Sequence, residues 1–336
     1  MPARTSPGDR RLKVGLVLGS GGARGIVHIS VLETLAGLGI PVDLVAGSSI
    51  GAVAGGVHAI GRLPDLKRDL LALKRDDLLK LFDPVLSRSG LFAGKRAVAF
   101  LARYIPKDAL IEDLPLPLGI VASDLDTGRP VVFRKGSLLS AIRASVSIPG
   151  IFTPMPSGRS LLLDGGVVNP LPIDVARSMG ADLTIAVSLH PALGKIGLNP
   201  LKKPGRAKAG PPPEAKVPAM ERLVHRLLEN TPPEAGGVLR AADLWFDTQR
   251  GAGAAKRKAP NLFDILTRTI DIMENAITQL TLATNPPTVL ISFELPEVPT
   301  LDFSMSAALL EEGKRASEAK GPELVAKIKN VVERCP

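Results

Sequence analysis

Two glycine-rich turns constrain the fold of this chain more than any other feature of its sequence. The apolar run 14–18 leads into the glycine-rich segment 19–25 and then into helical spacing. The same order recurs about 30 residues further on, where the apolar run 44–46 leads into the turn 47–51 and a second helical pattern through Ile60. Strands, turns and helices repeated in this order are typical of a parallel sheet covered by helices. We therefore expect an α/β fold.

Later segments continue this alternation. Apolar runs predict strands at 118–122, 131–133, 160–163, 183–188 and 288–293, and helical patterns cover 138–145, 262–282 and 322–332. We expect the helix at 262–282 to belong to the core. A further helix is expected over 64–82, where leucines alternate with charged residues. Such a helix either faces a membrane or packs its leucines on the core, and we favour packing.

The chain is expected to contain one domain with a tail and an insertion. Residues 1–12 are polar and basic, so we expect a flexible N-terminal tail. The domain spans 13–333 and is interrupted by an insertion at about 191–258. The first part of this insertion is rich in Pro, Gly and Lys, and such a composition cannot bury enough apolar surface to fold alone.

Charge and composition restrict the partners. The formal net charge of +9 favours phosphate, anionic lipid or nucleic acid. Aromatic residues make up only 3% of the chain, too few for base-stacking platforms, so we expect no nucleic-acid partner. We find no secretory signal and no uninterrupted apolar stretch of about 18 residues. We therefore expect a cytoplasmic protein that contacts an anionic membrane surface peripherally.

Cysteine and histidine are scarce in this sequence. Cys335 is the only cysteine, which excludes a disulfide scaffold. The four histidines, His28, His58, His190 and His225, are widely scattered. We therefore expect neither a metal site nor a cofactor.

The turn at 47–51 matches the pattern Gly-x-Ser-x-Gly, with Ser49 at its centre. Gly47 and Gly51 would relieve steric clashes at a sharp strand-to-helix turn, and the serine hydroxyl would then be exposed at a helix N-terminus. The helix dipole there favours developing negative charge. An ordinary turn that contains serines gives the same pattern, but its place between an apolar strand and a helix favours a nucleophile.

The turn at 19–25 is suited to binding an anion with backbone N–H groups. A dinucleotide fingerprint does not fit, because Arg24 stands where its last glycine should be. A P-loop does not fit either, since no Gly-Lys-Ser/Thr follows. An oxyanion hole for a serine on the neighbouring strand uses both turns at once.

A serine nucleophile needs a base, and the residues alone leave two types open. His28 and His58 lie on helices, where a histidine is more commonly packed or solvated. His190 follows the strand at 183–188 and would complete a Ser–Asp–His order. Asp164 ends another apolar strand and could act directly if burial raised its pKa.

Four motifs together carry a resemblance to a known family. They are Gly21-Gly22-x-Arg24-Gly25, Gly47-x-Ser49-x-Gly51, Ala144-Ser145-x-Ser147-Ile148-Pro149-Gly150 and Asp164-Gly165-Gly166. In this order and spacing the sequence resembles the patatin-like phospholipases, above all the small bacterial members. The resemblance covers about 13–329 apart from the insertion. One departure is Ser20, which stands where the family often has glycine.

The resemblance implies a fold, an activity and a set of site residues. The fold is a three-layer α/β/α sandwich with a mainly parallel central sheet, and the activity is metal-free hydrolysis of acyl esters in phospholipids or simpler lipids. Ser49 and Asp164 correspond to the family's Ser–Asp dyad. The corresponding oxyanion hole comprises Gly21, Gly22, Ala23, Arg24 and Gly25, and the supporting motif glycines are Gly47, Gly51, Gly165 and Gly166.

Two alternatives to a dyad hydrolase remain open at this stage. One is a lipid- or acyl-binding regulator that uses the same scaffold with little turnover. The other is an α/β-hydrolase with a Ser–His–Asp triad, in which His190 would be the base.

Overall fold

A mostly parallel sheet lies at the centre of the computed structural model, which describes residues 11–73, 83–85, 89–190, 262–295 and 298–334. The strands are β1 (Val14–Leu18), β2 (Leu44–Ser48), β3 (Gly90–Phe92), β4 (Leu118–Asp124), β5 (Pro130–Phe133), β6 (Gly150–Phe152), β7 (Met155–Ser157), β8 (Ser160–Asp164), β9 (Leu183–Ser188) and β10 (Val289–Ser292). The α-helices are α1 (Val27–Gly37), α2 (Ile50–Ala59), α3 (Leu63–Ala72), α4 (Lys95–Leu101), α5 (Leu138–Ser145), α6 (Ile173–Ser178), α7 (Leu262–Thr284), α8 (Ser306–Ala319), α9 (Gly321–Leu324) and α10 (Asn330–Arg334). Short 3-10 turns occupy Gly22–Ile26, Ile111–Asp113, Gly165–Val167 and Phe303–Met305, and a π turn covers Val325–Lys329.

The strands of the main sheet follow the order β10-β9-β1-β2-β4-β8-β7, with β5 also paired to β4. The pairs from β10 to β4 are parallel, whereas β5 and β8 run antiparallel to β4, and β7 runs antiparallel to β8. Strands β3 and β6 form a separate parallel pair. The expectation of a mainly parallel sheet is confirmed.

Two strands share one edge of β4 and point toward each other. Strand β2 ends with Ser48 beside Val121, and β8 runs the opposite way and ends with Asp164 beside Ala122. Strand β5 occupies the other edge of β4 at residues 120–123. Both β2 and β8 must therefore lie on the remaining edge, and their last residues meet within the sheet.

Separate apolar cores cover the two faces of the sheet. Strand β1 shows the alternation: Leu16 and Leu18 belong to the core that includes α1, α2, α3 and α8, whereas Val17 belongs to a second core that includes α6. Successive residues of a strand point to opposite faces, so a strand buried on both sides reads as a continuous apolar run. The three-layer α/β/α arrangement expected from the sequence is confirmed.

The chain divides into two compact units, residues 1–193 with 271–336, and residues 194–270. Of the second unit the structure describes only 262–270, which form the first part of α7. The predicted insertion at 191–258 and nearly all of the predicted tail at 1–12 lie outside the described residues. The single domain over 13–333 therefore stays a prediction.

The helix predicted over 64–82 begins as α3, and its residues 74–82 lie outside the described part of the chain. Within α3 the side chains of Leu66 and Leu70 are buried in the core, as expected for packing, whereas Leu71 is exposed. Among the described residues, no helix has both the length and the apolar character needed to cross a bilayer.

Helix α7 confirms the helix predicted at 262–282, but the expectation that its apolar side would be buried is wrong beyond residue 270. The exposed positions there include Ile272, Met273 and Leu280. The buried positions are polar: Glu274, Asn275, Thr278 and Gln279. One physical reason is Glu274, whose carboxyl group accepts a hydrogen bond from the buried Ser20 of the glycine turn and lies 3.2 Å from His190 Nε2.

Candidate active site

Ser49 occupies a strained position between β2 and α2. Its φ of 54° and ψ of −120° make it the one non-glycine residue with positive φ among those that the structure describes. A backbone of this kind costs on the order of 1–3 kcal/mol and persists only where its surroundings enforce it. At Gly51 a Cβ atom would lie 2.0 Å from the Leu18 carbonyl oxygen, so a glycine is required there. Gly47 is also in close contact, with the backbone of Gly51.

A serine from another motif supports this turn. The Ser49 N–H donates to Ser145 Oγ at 2.8 Å, and Ser145 Oγ donates to the Val121 carbonyl at 2.6 Å. Ser145 is on α5 and Val121 is on β4, so the turn is tied to the sheet through a side chain. The link gives the Ala144–Gly150 motif a structural part in the site.

Ser49 Oγ donates a hydrogen bond to Asp164 Oδ2 at 2.6 Å. The carboxylate is only 2% exposed, and its other oxygen, Oδ1, accepts the Gly166 N–H at 2.8 Å. Two backbone contacts hold the residue: its N–H donates to the Ser147 carbonyl at 2.9 Å, and its carbonyl accepts from Ser123 Oγ at 2.6 Å. The structure thus brings the two predicted dyad residues into direct contact.

Asp164 is an unusually basic carboxylate. Burial, and next the charge of the nearby Glu274, raise the pKa of Asp164 to about 8. Both causes disfavour the ionised form, because one removes water and the other adds a like charge. A carboxylate of this kind accepts a proton from a serine more readily than one in water does.

The glycine turn lies against the start of α2. A Cβ atom on Gly25 would be 2.3 Å from Ile50 Cγ2, which shows how closely the two turns approach. Gly22 has a φ of 59°, and a Cβ there would lie 2.1 Å from the Thr300 carbonyl oxygen. The same carbonyl accepts the Ala23 N–H at 2.8 Å. The N–H of Ala23, one of the predicted oxyanion donors, is therefore already engaged in this structure.

Arg24 supports the glycine turn through its side chain. Its Nε donates to the Gly21 carbonyl at 3.0 Å, and its guanidinium also pairs with Asp271 of α7. The side chain is 8% exposed, so it is held within the protein. These contacts fix the conformation of the turn from which the predicted N–H donors come.

The histidines considered as bases lie elsewhere. His28 is buried, its Nε2–H donates to the Gly19 carbonyl at 2.9 Å, and burial lowers its pKa to about 4. Burial also lowers the pKa of His58 on α2. His190 Nε2 lies 3.2 Å from Glu274 Oε2. Among the described residues none of the three histidines hydrogen-bonds Ser49, and no group of three or more His, Cys, Asp or Glu could hold a metal ion.

Glu274 is a site neighbour that the sequence analysis missed. Its Oε2 accepts from Ser20 Oγ at 2.8 Å, and its Oε1 lies 2.2 Å from the position that a Cβ on Gly166 would occupy. The other motif glycine, Gly165, is packed just as closely on the Val121 carbonyl. The one available signal was the polar spacing 274, 275, 278 and 279, which an exposed helix face shows equally well.

An apolar cavity of about 160 Å³ borders Ser49 and Gly22. Its walls come from the start of α1 and α2, from α3 and α4, and from the segment around Phe303. The main apolar side chains are Ile26, Ile29, Val53, Leu66, Leu70, Phe100, Leu101, Ile148, Phe152, Leu301 and Phe303. Such a cavity is suited to an alkyl chain whose polar end lies at Ser49.

Comparisons with known proteins show what this chain is similar to. Residues 16–177 match the family model described as Patatin-like phospholipase. An uncharacterized NTE family protein of Mycobacterium tuberculosis is 34% identical over 342 aligned residues, which cover 91% of each chain. Human patatin-like phospholipase domain-containing protein 6 is 38% identical over 182 residues, covering 52% of this chain and 13% of that protein. The structure of VipD from Legionella pneumophila aligns with a TM-score of 0.45 at 12% identity, covering 95% of this chain and 68% of VipD.

Proposed function

Because the chain belongs to the patatin-like phospholipase family, we propose that it hydrolyses acyl esters of lipids with Ser49 as nucleophile and Asp164 as general base. Membership of this family supports lipid hydrolysis as the general activity. The observation that carries the assignment of residues is the 2.6 Å hydrogen bond from Ser49 Oγ to Asp164 Oδ2, beside an apolar cavity.

The reaction runs in two halves. Asp164 takes the proton from Ser49 Oγ as this oxygen bonds to the ester carbonyl carbon, and the proton then passes to the departing alcohol. A water molecule next gives a proton to Asp164 while its oxygen attacks the acyl carbon. The bond to Ser49 breaks, the serine regains its proton, and the fatty acid leaves.

The oxyanion of each half needs N–H donors from the glycine turn. We assign the first of these to Gly22, which lines the same cavity as Ser49, with Gly21 beside it. Ala23 can contribute only when its N–H leaves the Thr300 carbonyl. Arg24 and Gly25 hold the turn in place. Loss of one such donor costs about 3–4 kcal/mol in other hydrolases.

A membrane or micelle surface presents the substrate in this proposal. The acyl chain enters the apolar cavity, and the alcohol portion stays outside. The net charge of +9 favours an anionic surface, which contributes about 1 kcal/mol for each basic residue near it.

The first test is release of p-nitrophenol from a medium-chain ester by the full chain and by Ser49→Ala and Asp164→Asn. We expect both variants to lose at least about a thousandfold in kcat, as in other hydrolases whose nucleophile or base is removed. Ser48→Ala is the matched control, because the Ser48 hydroxyl is buried next to the proposed nucleophile and has no hydrogen-bond partner among the described residues. It should retain most of the activity.

Other outcomes would favour the alternatives. Activity that survives Ser49→Ala, with folding intact by circular dichroism, contradicts the assignment of the nucleophile. A wild-type protein that neither turns over esters nor reacts with a fluorophosphonate at Ser49 would instead be a lipid-binding protein.

A further inference from the structure

A second buried polar cluster lies beside the dyad and takes no part in the reaction above. It consists of Ser20, His190 and Glu274, each at most 6% exposed. Glu274 Oε2 accepts from Ser20 Oγ at 2.8 Å and lies 3.2 Å from His190 Nε2. The Ser20 and His190 atoms are themselves 3.5 Å apart. Three polar side chains buried together in this way require a physical explanation, because burial of each is costly.

The cluster does not form a second catalytic triad. In a triad the carboxylate holds Nδ1 of the histidine, which leaves Nε2 free to take the serine proton. Here the carboxylate and the serine both approach Nε2 of His190. The Ser20 hydroxyl donates to Glu274 Oε2, and His190 Nε2 lies 3.2 Å from the same oxygen. Ser20 and His190 therefore fix the position of the Glu274 carboxyl group from one side.

That carboxylate lies close to the proposed base. Glu274 Oε1 is packed against Gly166, and the Gly166 N–H donates to Asp164 Oδ1 at 2.8 Å. The two buried carboxylates thus flank one glycine. A like charge held this close in a low-dielectric interior raises the affinity of Asp164 for a proton.

Other charged and titratable groups lie on the elements that form the site. They are Arg24 from the glycine turn, His28 from α1, Arg143 from α5, Asp271 from α7 and His190 after β9. Arg24 and Asp271 neutralise each other as an ion pair, and the low pKa of His28 keeps it neutral. Arg143 donates to the Ala93 and Thr153 carbonyls and to Ser147 Oγ. The charge of Glu274 is thus the one that bears most directly on Asp164.

We propose that Glu274 is a positioning residue that makes Asp164 a stronger base for the Ser49 proton, with its carboxyl group held in place by Ser20 and flanked by His190. The inference rests on the proposed function. Proton transfer to Asp164 neutralises one of two neighbouring carboxylates, so repulsion in the resting site is relieved as Ser49 attacks. The raised pKa of Asp164, to which Glu274 contributes, agrees with this.

The test is the pH profile of Ser49 reactivity, measured both as inactivation by a fluorophosphonate and as kcat/KM on a soluble ester. In the wild type both should rise with pH through an apparent pKa of about 8. In Glu274→Gln the acid limb should move down by at least about one pH unit, a tenfold change, and the alkaline plateau should fall. Glu274→Asp keeps the charge and should keep the acid limb near the wild-type position.

Glu312→Gln is the matched control, because it removes a carboxylate from an α8 surface position whose one ion-pair partner in the described part of the chain is Arg315. It should leave the profile unchanged. A Glu274→Gln protein whose plateau falls while its acid limb stays in place would overturn the proposal, since loss of packing alone gives that result. So would a Glu274→Asp protein that behaves like Glu274→Gln.

A second measurement separates this proposal from failure of the proposed function. The Asp164 carboxyl is titrated by 13C NMR in the Ser49→Ala protein, with and without Glu274→Gln, and is identified by its absence in Asp164→Asn. A lower pKa with Glu274→Gln supports the coupling even if no ester is hydrolysed. An unchanged pKa overturns it even in an active enzyme.

Discussion

Ser49 and Asp164 each occupy a state that costs the folded protein stability. The serine has a backbone conformation that is rare for residues with a Cβ, and the aspartate is a carboxyl group removed from water. Their hydrogen bonds to Ser145, Gly166 and each other offset part of the cost. In the proposed function this cost in stability accompanies the activation of Ser49, and the cost can be measured at Asp164.

Asp164→Asn should stabilise the protein while it abolishes activity. The unfolded chain releases this proton near pH 4, whereas the folded protein retains it up to about pH 8. Since the folded state binds more protons in this window, its free energy of unfolding falls as pH rises from about 4 to 8 and then levels. Because asparagine cannot ionise, the Asp164→Asn protein does not lose this stability. Its free energy of unfolding should exceed that of the wild type only slightly at pH 4 and by on the order of a few kcal/mol at pH 9.

Urea unfolding of both proteins at several pH values measures this difference. Asp113→Asn, the same change at an exposed position, is the control and should show no gain that grows with pH. A difference between Asp164→Asn and wild type that is constant from pH 4 to 9 would contradict an elevated pKa for Asp164.

At the scale of elements, the dyad depends on two strands that meet head to head. Ser49 follows a strand that runs parallel to β4, whereas Asp164 ends β8, which runs antiparallel to β4. Asp164 therefore approaches Ser49 from the opposite direction, along the edge of β4 where β2 ends. Strand direction is set by long-range pairing, and no local pattern in residues 160–164 reveals it.

The sequence predicted the elements whose signal is local. Strands β1 and β9 and helix α5 were predicted to the residue, because apolar runs and helical spacing are local features. Strands β3, β6 and β7 have three residues each, too few for a pattern, and were missed. Glu274 was missed for a different reason: it reaches the site only through the packing of α7, far away in the chain. Ser20 was noticed as a departure, but its hydroxyl could be explained only once Glu274 was located.

Helix α3 provides an element-scale test of the cavity. Leu70 lines it, whereas the next residue, Leu71, is 51% exposed on the same helix. Leu70→Trp should shorten the space for an acyl chain. Each methylene kept out of the cavity costs about 0.8 kcal/mol, or about fourfold in kcat/KM. The ratio of kcat/KM for dodecanoyl over butyryl p-nitrophenyl esters should therefore fall by at least about tenfold.

Leu71→Trp adds the same side chain one position away and should leave this ratio near the wild-type value. If both variants lower the ratio equally, tryptophan disturbs α3 as a whole and the cavity does not select the chain. If neither does, the acyl chain binds elsewhere.

At the scale of the whole molecule, the site combines groups from across the chain. The glycine turn comes from near residue 20, the base from residue 164 and its buried neighbour from residue 274. The turns face the core that holds the cavity, and the sheet separates this core from the one against α6. This layered fold thus brings residues that are far apart in the chain into one site. In the proposed function, the delivery of a lipid to that site depends on the outer surface and its charge.

The net charge of +9 leads to a prediction about membranes rather than about the site. Hydrolysis of a lipid ester in vesicles with about one third anionic lipid should exceed hydrolysis in purely zwitterionic vesicles, because basic residues attract an anionic surface. The advantage should disappear as salt rises from 0.05 to about 0.5 M, since exposed charges are then screened over a few ångströms. Hydrolysis of a soluble p-nitrophenyl ester needs no surface and should change little over the same range, so it serves as the control.

Equal loss of both activities would mean that salt acts on the protein itself. Equal rates on the two kinds of vesicle would mean that the charge serves another partner, and that the apolar cavity alone recruits the substrate.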